Sequence, residues 1–242
     1  MEINKKITDK KKKFFSNKTY TKKKYFKEYY DLINKFIFSE KIESILDIGC
    51  ASGFLFKYLK KDIKCLGIDI SKSLVIKASK ENKNKKISFK QLNLFLKNNK
   101  LGQIIKKNRL KGYDLVTFLG TMGLLPDYML TVKRLIQLKP KKIIIHTLLN
   151  RSELDVKIYY RKNGYDKQKM AYNIPSVHNI SKLFNRFNYQ TKFIPYVMKK
   201  RLVRNKKEKF RNYHLQLKNG KKILTNDMGM IHSEFIIIAS KK

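Results

Sequence analysis

An acid, a turn of small residues and a second acid stand where a strand, a helix and the next strand must meet. The first acid opens Asp47-Ile48-Gly49-Cys50-Ala51-Ser52-Gly53, directly after the apolar run Ile45-Leu46, and the second, Asp69, closes the run Cys65-Leu66-Gly67-Ile68. A turn with little side-chain bulk lets a ligand lie against backbone, and an acid about 20 residues on is placed to hold the hydroxyls of a ribose. A dinucleotide is disfavoured, because the last position of Gly-x-Gly-x-x-Gly falls on Phe54, whose ring obstructs close helix-strand packing. Asp47, ahead of the first glycine, repels a pyrophosphate and suits a cationic ligand.

The stretch resembles the opening motif, acid-x-Gly-x-Gly-x-Gly, of class I S-adenosylmethionine-dependent methyltransferases of the type 11/12 kind, whose cofactor carries an ammonium and a sulfonium. The resemblance implies that Asp47, Gly49, Ala51 and Gly53, with Cys50 among them, shape the methionine end of S-adenosylmethionine. It further implies that Asp69, followed by Ile70, binds ribose, that Asn93 and Leu94 border adenine, and that Leu119 and Gly120 bring backbone against cofactor and substrate. Ala51 replaces the family's middle glycine, and its methyl is tolerable there if φ is negative. Asn93 replaces a common acid; its carbonyl accepts the same hydrogen bond, and a plain loop asparagine is the alternative.

Methyl transfer needs an in-line nucleophile and sometimes a base. Positioning contributes about 7–11 kcal/mol and a general base about 10²–10⁴-fold, so a base need not leave a motif. His146, ending the fifth strand at the substrate edge, is the first candidate base, and His178, opening the last helix, is the second; a hydrogen-bonded structural role is the alternative for each. His214, His232 and Asp227 fall in or beside a later insertion and are further candidates for acceptor contact. The Asn/Asp-Pro-Pro-aromatic motif of adenine methyltransferases is absent after the fourth strand, as is the Pro-Cys nucleophile of the cytosine-C5 type. The segment from Thr117 to Asp127 instead resembles small-molecule and saccharide methyltransferases, including those of bacterial surface-polysaccharide pathways. Methyl transfer to a hydroxyl or amine of a small molecule, with a sugar as one candidate, is the leading expectation. A ribosomal or transfer RNA methyltransferase is the second, and a non-catalytic binding module, against which the acid-turn-acid arrangement argues, is the third.

The formal net charge of +39 keeps nucleic acid in view as a partner, without favouring it. Only eight of the 57 basic residues are Arg, the planar reader of phosphate and guanine, and the lysines are scattered among Asn, Ile, Tyr and Phe. Cys50 and Cys65 lack the close spacing of a redox or zinc site and read as reduced structural thiols, and no metal site is expected. No run is long enough to span a membrane, and the basic start lacks the apolar stretch of a secretory signal, so a soluble cytoplasmic protein is expected. Nothing in the sequence sets an oligomeric state.

These residues need an α/β scaffold. The chain of 242 residues suits one Rossmann-like domain: a seven-stranded sheet, mostly parallel with an antiparallel last strand, helices on both faces and two accessory β-hairpins. Residues 1–40 read as a basic arm and an amphipathic helix over Tyr20–Phe38, with Tyr25, Tyr29 or Tyr30 facing either cofactor or sheet; residues 41–242 form the catalytic domain. Strands are predicted at Ser44–Ile48, Cys65–Ile68, Ile87–Phe89, Leu115–Phe118, Ile143–His146, Thr191–Val197 and Glu234–Ala239. Helices are predicted at Phe54–Lys61, Lys72–Lys80, Leu94–Lys107, Tyr128–Leu138 and Val177–Phe187. Insertions at 150–173 and 198–230 each carry Asn-Gly, a tight-hairpin signal, at Asn163-Gly164 and Asn219-Gly220. Both leave the carboxyl edge of the sheet, where they could build a lid or merely extend it.

Overall fold

Strands buried on both faces demand cover on both sides, and helices between parallel strands supply it. The computed structural model describes residues 27–60, 62–95, 101–160, 169–196, 202–204, 212–227, 231 and 233–242. In chain order the elements are α1 (Lys27–Ser39), β1 (Ser44–Ile48), α2 (Phe54–Lys57), β2 (Lys64–Asp69), α3 (Lys72–Glu81), β3 (Ile87–Gln91), α4 (Leu101–Lys107) and β4 (Leu115–Leu119). A 3₁₀ turn at Met122–Leu124 leads to α5 (Tyr128–Gln137), β5 (Lys142–Leu148), β6 (Val156–Tyr160), β7 (Lys169–Ile174), α6 (Val177–Asn185), β8 (Tyr189–Tyr196), β9 (Tyr213–Gln216), β10 (Lys222–Thr225) and β11 (Glu234–Lys241).

The main sheet has the order β3-β2-β1-β4-β5-β11-β8, with β1 to β5 parallel and β11 antiparallel to both neighbours. Strand order reverses between β1 and β4, and a ligand crevice opens beyond the carboxyl ends at such a switch point. Side chains alternate across each strand. Leu46, Ile48, Phe118, Ile145 and Ile237 pack on one face with Val132, Leu135, Ile180 and Phe184 of α5 and α6. Ile45, Cys65, Leu115, Ile144 and Ile236 pack on the other with Ile33 and Ile37 of α1 and Leu55 and Phe56 of α2. Each fully buried Ile or Phe contributes about 1.5–3 kcal/mol, so these two faces fix the strand register.

Two small antiparallel sheets, β6-β7 and β9-β10, are the accessory hairpins. The second closes through Asn219-Gly220, with Gly220 at φ 78° and the Leu217 N–H donating to the Lys221 carbonyl at 2.8 Å. Asn163-Gly164 lies outside the described residues.

Two helices are shorter than their apolar periodicity suggests, each for a local reason. α2 ends at Lys57 rather than Lys61 because buried Asn34 of α1 captures the chain beyond it. Asn34 Nδ2 donates to the Tyr58 carbonyl at 2.7 Å, and Asn34 Oδ1 accepts the Lys60 N–H at 3.0 Å. Leu94 and Phe95 form a turn rather than the first turn of α4, because Asn93 Oδ1 accepts the Phe95 N–H at 2.9 Å.

The turn after β1 departs further from expectation. Gly49, Ala51 and Gly53 have φ of 74°, 47° and 73°, so Ala51 is left-handed rather than at negative φ. A non-glycine residue there is strained by about 1–2 kcal/mol. The Asp69 carboxylate holds it, Oδ2 accepting the Ala51 N–H at 2.9 Å.

Two outcomes follow from these ties. Ala51→Gly relieves the strain at the expense of chain entropy, for a net gain of about 0.5–1 kcal/mol, read as a higher urea midpoint at constant slope. Asn34→Ala unties α1 from the loop after α2 and lowers stability by about 2–3 kcal/mol in the same measurement; an unchanged midpoint would show that Asn34 does not end that helix.

Candidate functional site

The strand register brings the sequence-predicted residues to one edge. Ile48 pairs with Ile68 and Phe118, and Leu119 with His146, so β2, β1 and β4 end on neighbouring rungs; β5 runs on to Leu148 through its pairing with β11, so His146 stands level with the end of β4 rather than ending its own strand. Alternation from Ile45, Leu115 and Ile144 puts Asp47, Thr117 and His146 on the face that α1 covers. One strand separates β1 from β5, so their tips stand about 10 Å apart.

Asp47 is 4% exposed, and its Oδ1 accepts the Thr117 hydroxyl at 2.7 Å. Burial pushes its carboxyl up to about 7; the Thr117 hydrogen bond opposes that rise, and the Asp69 carboxylate adds to it. Asp69 is also pushed up by burial, against backbone N–H groups of Ser71, Ala51 and Ile70 that favour its charged form. Its Oδ1 accepts the Ser71 N–H at 2.8 Å. With Ala51 on Oδ2 and the Ile70 N–H beside them, backbone takes three of the carboxylate's roughly four acceptor sites and leaves one for a further donor.

The glycines leave room that side chains would fill. A Cβ at Gly49 would stand 3.0 Å from Thr121 Oγ1, and one at Gly53 would stand 2.8 Å from both Asn82 Nδ2 and the Phe89 ring. Gly120, at φ 68°, faces open space and donates its N–H to the His146 carbonyl at 2.9 Å. Leu119 beside it is half-buried against the α1 face. Cys50 turns its thiol down toward Gly67, where a Cβ would come within 2.9 Å of the sulfur. Burial, then the charges of Asp47 and Asp69, push that thiol well up, which makes Cys50 a packing residue rather than a nucleophile.

At the β2-β3 end, Ile70 is exposed and its carbonyl accepts the Gln91 amide at 3.1 Å. Asn93 is half-buried with one Oδ1 lone pair already given to Phe95. Leu94 is buried in the core, and its carbonyl accepts a hydrogen bond from the buried Arg134 guanidinium. A hollow of about 230 Å³ lined by Phe56, Ile63, Cys65, Asn84 and Ile87 lies at the opposite, amino end of β2 and β3, away from the ligand edge of such a sheet.

His146 does not stand alone. Its Nε2 lies 3.6 Å from Glu234 Oε2, the two side chains being 14% and 13% exposed, and its ring meets Tyr196 edge-on at 5.1 Å. Glu234 Oε1 accepts the Asn212 amide at 3.3 Å. Tyr172 of β7 hydrogen-bonds buried Asn226; burial pushes its hydroxyl up, that bond opposes the rise, and the Glu234 charge adds to it. Both hairpins thus send side chains to the end of β5 and β11.

The other candidates stand apart from this group. His178 is exposed in the first turn of α6, its N–H donating to the Ser176 cap at 3.1 Å. His214 Nδ1 accepts the Leu202 N–H at 2.9 Å, and Asp227 is paired with Arg204 at 2.8 Å. Tyr30 packs on Tyr58 with ring centroids 4.9 Å apart, while Tyr25, His232 and the side chain of Tyr29 lie outside the described residues. Sequence reasoning missed Thr117, Thr121 and Glu234. A polar Thr inside the apolar run Leu115-Val116-Thr117-Phe118-Leu119 was a signal for the first, and an acid opening a strand in a chain with only 18 acids was one for the last. Among the described residues, no three His, Cys, Asp or Glu side chains are placed to hold a metal ion, and no helix is long and apolar enough to cross a membrane.

Comparison with known proteins bears on this arrangement. No curated protein matches the sequence. Magnesium protoporphyrin IX methyltransferase of Synechocystis PCC 6803, solved with bound S-adenosylmethionine, is similar with a TM-score of 0.57 at 12% identity, over 100% of this chain and 100% of its own. A methyltransferase of Methanosarcina mazei is similar with a TM-score of 0.53 at 17% identity, over 87% of this chain and 96% of its own. The methyltransferase domain of bacterial CtHen1 gives 0.51 at 15%, over 87% and 96%. At these identities the likeness is one of fold. The family model described as a methyltransferase domain matches residues 21–192, well over half of the chain. The chain therefore belongs to the methyltransferase-domain family, as a class I S-adenosylmethionine-dependent methyltransferase.

Proposed function

We propose that the tips of β1 and β2 hold S-adenosylmethionine and that this cytoplasmic enzyme methylates a hydroxyl or amine of a small molecule, with a saccharide as the candidate acceptor. The observation that carries this reading is the pair of buried carboxylates, Asp47 and Asp69, flanking a turn of alternate left-handed residues. Among the described residues neither acid has a cationic partner, and Asp47 keeps its proton up to about 7. A cationic ligand fits that deficit. The space beside Gly49, which a Cβ would close against Thr121, fits a ligand lying on backbone.

When bound, the cofactor supplies an electrophilic methyl group. Asp47 attracts the ammonium of the methionine end, and Asp69 accepts from ribose at the acceptor site its backbone donors leave. Asn93 and Leu94 border the adenine, with the remaining lone pair of Asn93 available to its amino group and Ile70 offering apolar cover. Leu119 and Gly120 form the floor between donor and acceptor. His146, level with the end of β4, takes the acceptor's proton. His178 is the second candidate for that role, from the start of α6.

The charge of Asp47 gives this reading a pH signature. Only the ionised carboxylate attracts the cofactor, so affinity follows the ionised fraction and tightens about tenfold from pH 6 to pH 8. The cofactor-free chain moves the other way. Between 3.8 and about 7 the folded state keeps a proton that the unfolded state has lost, so this group's contribution to stability falls as pH rises through that window. Asp47→Asn flattens both dependences, weakening cofactor binding while stabilising the free protein at pH 8; calorimetry and urea melts at the two pH values check this. Asp69→Ala raises the cofactor dissociation constant about 10–100-fold. Unchanged affinity in that variant would reject the ribose assignment.

A further inference from the structure

The His146-Glu234 pair lies where an acceptor would stand, on the α1 face and about two strand spacings from the turn after β1. Glu234 opens β11, whose next residues are Phe235, Ile236, Ile237 and Ile238, all apolar. A carboxylate is an expensive occupant of such a strand unless a donor or cation faces it. Three groups converge on it: the His146 imidazole at 3.6 Å, the Asn212 amide at 3.3 Å and, more distantly, the Tyr172 hydroxyl. Tyr196 from β8 holds the imidazole edge-on from the other side. Glu234 and Tyr196 are titratable groups that face the imidazole, and Tyr172 is a third that faces Glu234. Leu119 and Gly120 on the β4 side add none.

We propose that Glu234 is the positioning partner of a His146 base, and that the acceptor atom is consequently the oxygen of an alcohol or phenol, so that the products are O-methyl ethers. The inference rests on the methyl-transfer reading and narrows its acceptor. An amine attacks through a nitrogen lone pair; an alkylammonium must first lose a proton to free it, but water can take that proton before the amine docks, so an amine gains less from a buried carboxylate-imidazole pair than a hydroxyl does. A carboxylate acceptor carries no proton and is repelled by Glu234. A hydroxyl needs its proton removed as it attacks. The acceptor O–H bond breaks toward the imidazole as the oxygen bonds to the methyl carbon; the carbon-sulfur electron pair stays on sulfur, and the imidazolium, stabilised by Glu234, releases its proton to solvent. The 3.6 Å separation exceeds a hydrogen bond, and such contacts tighten in the loaded site.

Two readouts test this on the full chain. In the S-adenosylhomocysteine-saturated protein, the His146 ring is identified among the four histidines by its loss in His146→Asn and titrated by NMR. Its ring resonances are expected to move in Glu234→Gln, and an unchanged ring signal would overturn the pairing. For turnover, methyl-labelled S-adenosylmethionine is supplied with the small-molecule fraction of a cell extract. Label is expected to enter products after the pool's amines are acetylated and to vanish once its hydroxyls are acetylated. His146→Asn is expected to lose about 10²–10⁴-fold. Glu234→Gln is expected to lose about tenfold, its acid limb moving to lower pH, with partial rescue in Glu234→Asp. Label that follows the amines, an unmoved limb in Glu234→Gln, or no transfer from this pool by wild type that binds S-adenosylhomocysteine would each overturn the proposal. Failure of wild type to bind S-adenosylhomocysteine by calorimetry would instead sink the methyl-transfer reading beneath it.

Discussion

The Asp69 carboxylate is the tie on which the shape of the site depends. One oxygen takes the Ser71 N–H at the start of α3, and the other takes the Ala51 N–H in the turn after β1. A single side chain therefore sets the spacing of two strand tips and holds an alanine in a left-handed conformation it would otherwise leave. The turn is supported from below as well. Phe89 fits under it only because Gly53 and Gly67 lack a Cβ, which at either position would come within 2.8 Å of the ring. Support from two directions orders the backbone before a ligand arrives, so little binding energy goes into arranging it.

The rest of the carboxyl edge is built differently. The donor half rests on β1 and β2, where neighbouring parallel strands and short turns leave little freedom. The proposed acceptor half, at the ends of β5 and β11, is furnished partly from the insertions: Tyr172 comes from the first hairpin, and Asn212 and Asn226 flank the strands of the second. A fold shared with enzymes as different as the Synechocystis and Methanosarcina proteins carries no acceptor information by itself. Under the proposed reading, acceptor choice lies with the segments that those hairpins add.

The seven-stranded sheet, its antiparallel last strand and the two accessory hairpins were legible because each rests on local signals: apolar runs of strand length, polar caps such as Ser71 and Ser176, and Asn-Gly turns. Legibility failed where a distant residue decides. The early end of α2 depends on Asn34, more than twenty residues upstream, and nothing between Phe54 and Lys61 reveals it. The sign of φ at Ala51 depends on a carboxylate eighteen residues downstream. His146 was visible as a histidine at a strand end, but Glu234 becomes its neighbour only through the antiparallel register of β11 on β5, in which His146 faces Ile236. Residue type suggested the chemistry, and pairing across the sheet selected the partners.

Asp114 shows why the state of Asp47 points to a ligand. Both are buried aspartates, Asp47 within β1 and Asp114 just before β4. Burial pushes Asp114 up, yet the Lys141 ammonium at 2.7 Å, the backbone N–H of Glu43 and the Ser44 hydroxyl together bring it below the ordinary range. In a chain with 57 basic residues and 18 acidic ones, a lysine is the easiest partner to supply. Among the described residues Asp47 nevertheless has a single side-chain hydrogen bond, from a neutral threonine, and the charge that acts on it is that of a second carboxylate, Asp69. An uncompensated carboxylate at this depth destabilises the free protein, and a leucine or valine in its place would pack against β4 without that penalty. A basic chain that pairs its structural aspartate while, among the described residues, no cation faces the one beside the turn is what the proposed reading requires: a position kept for a cation from outside.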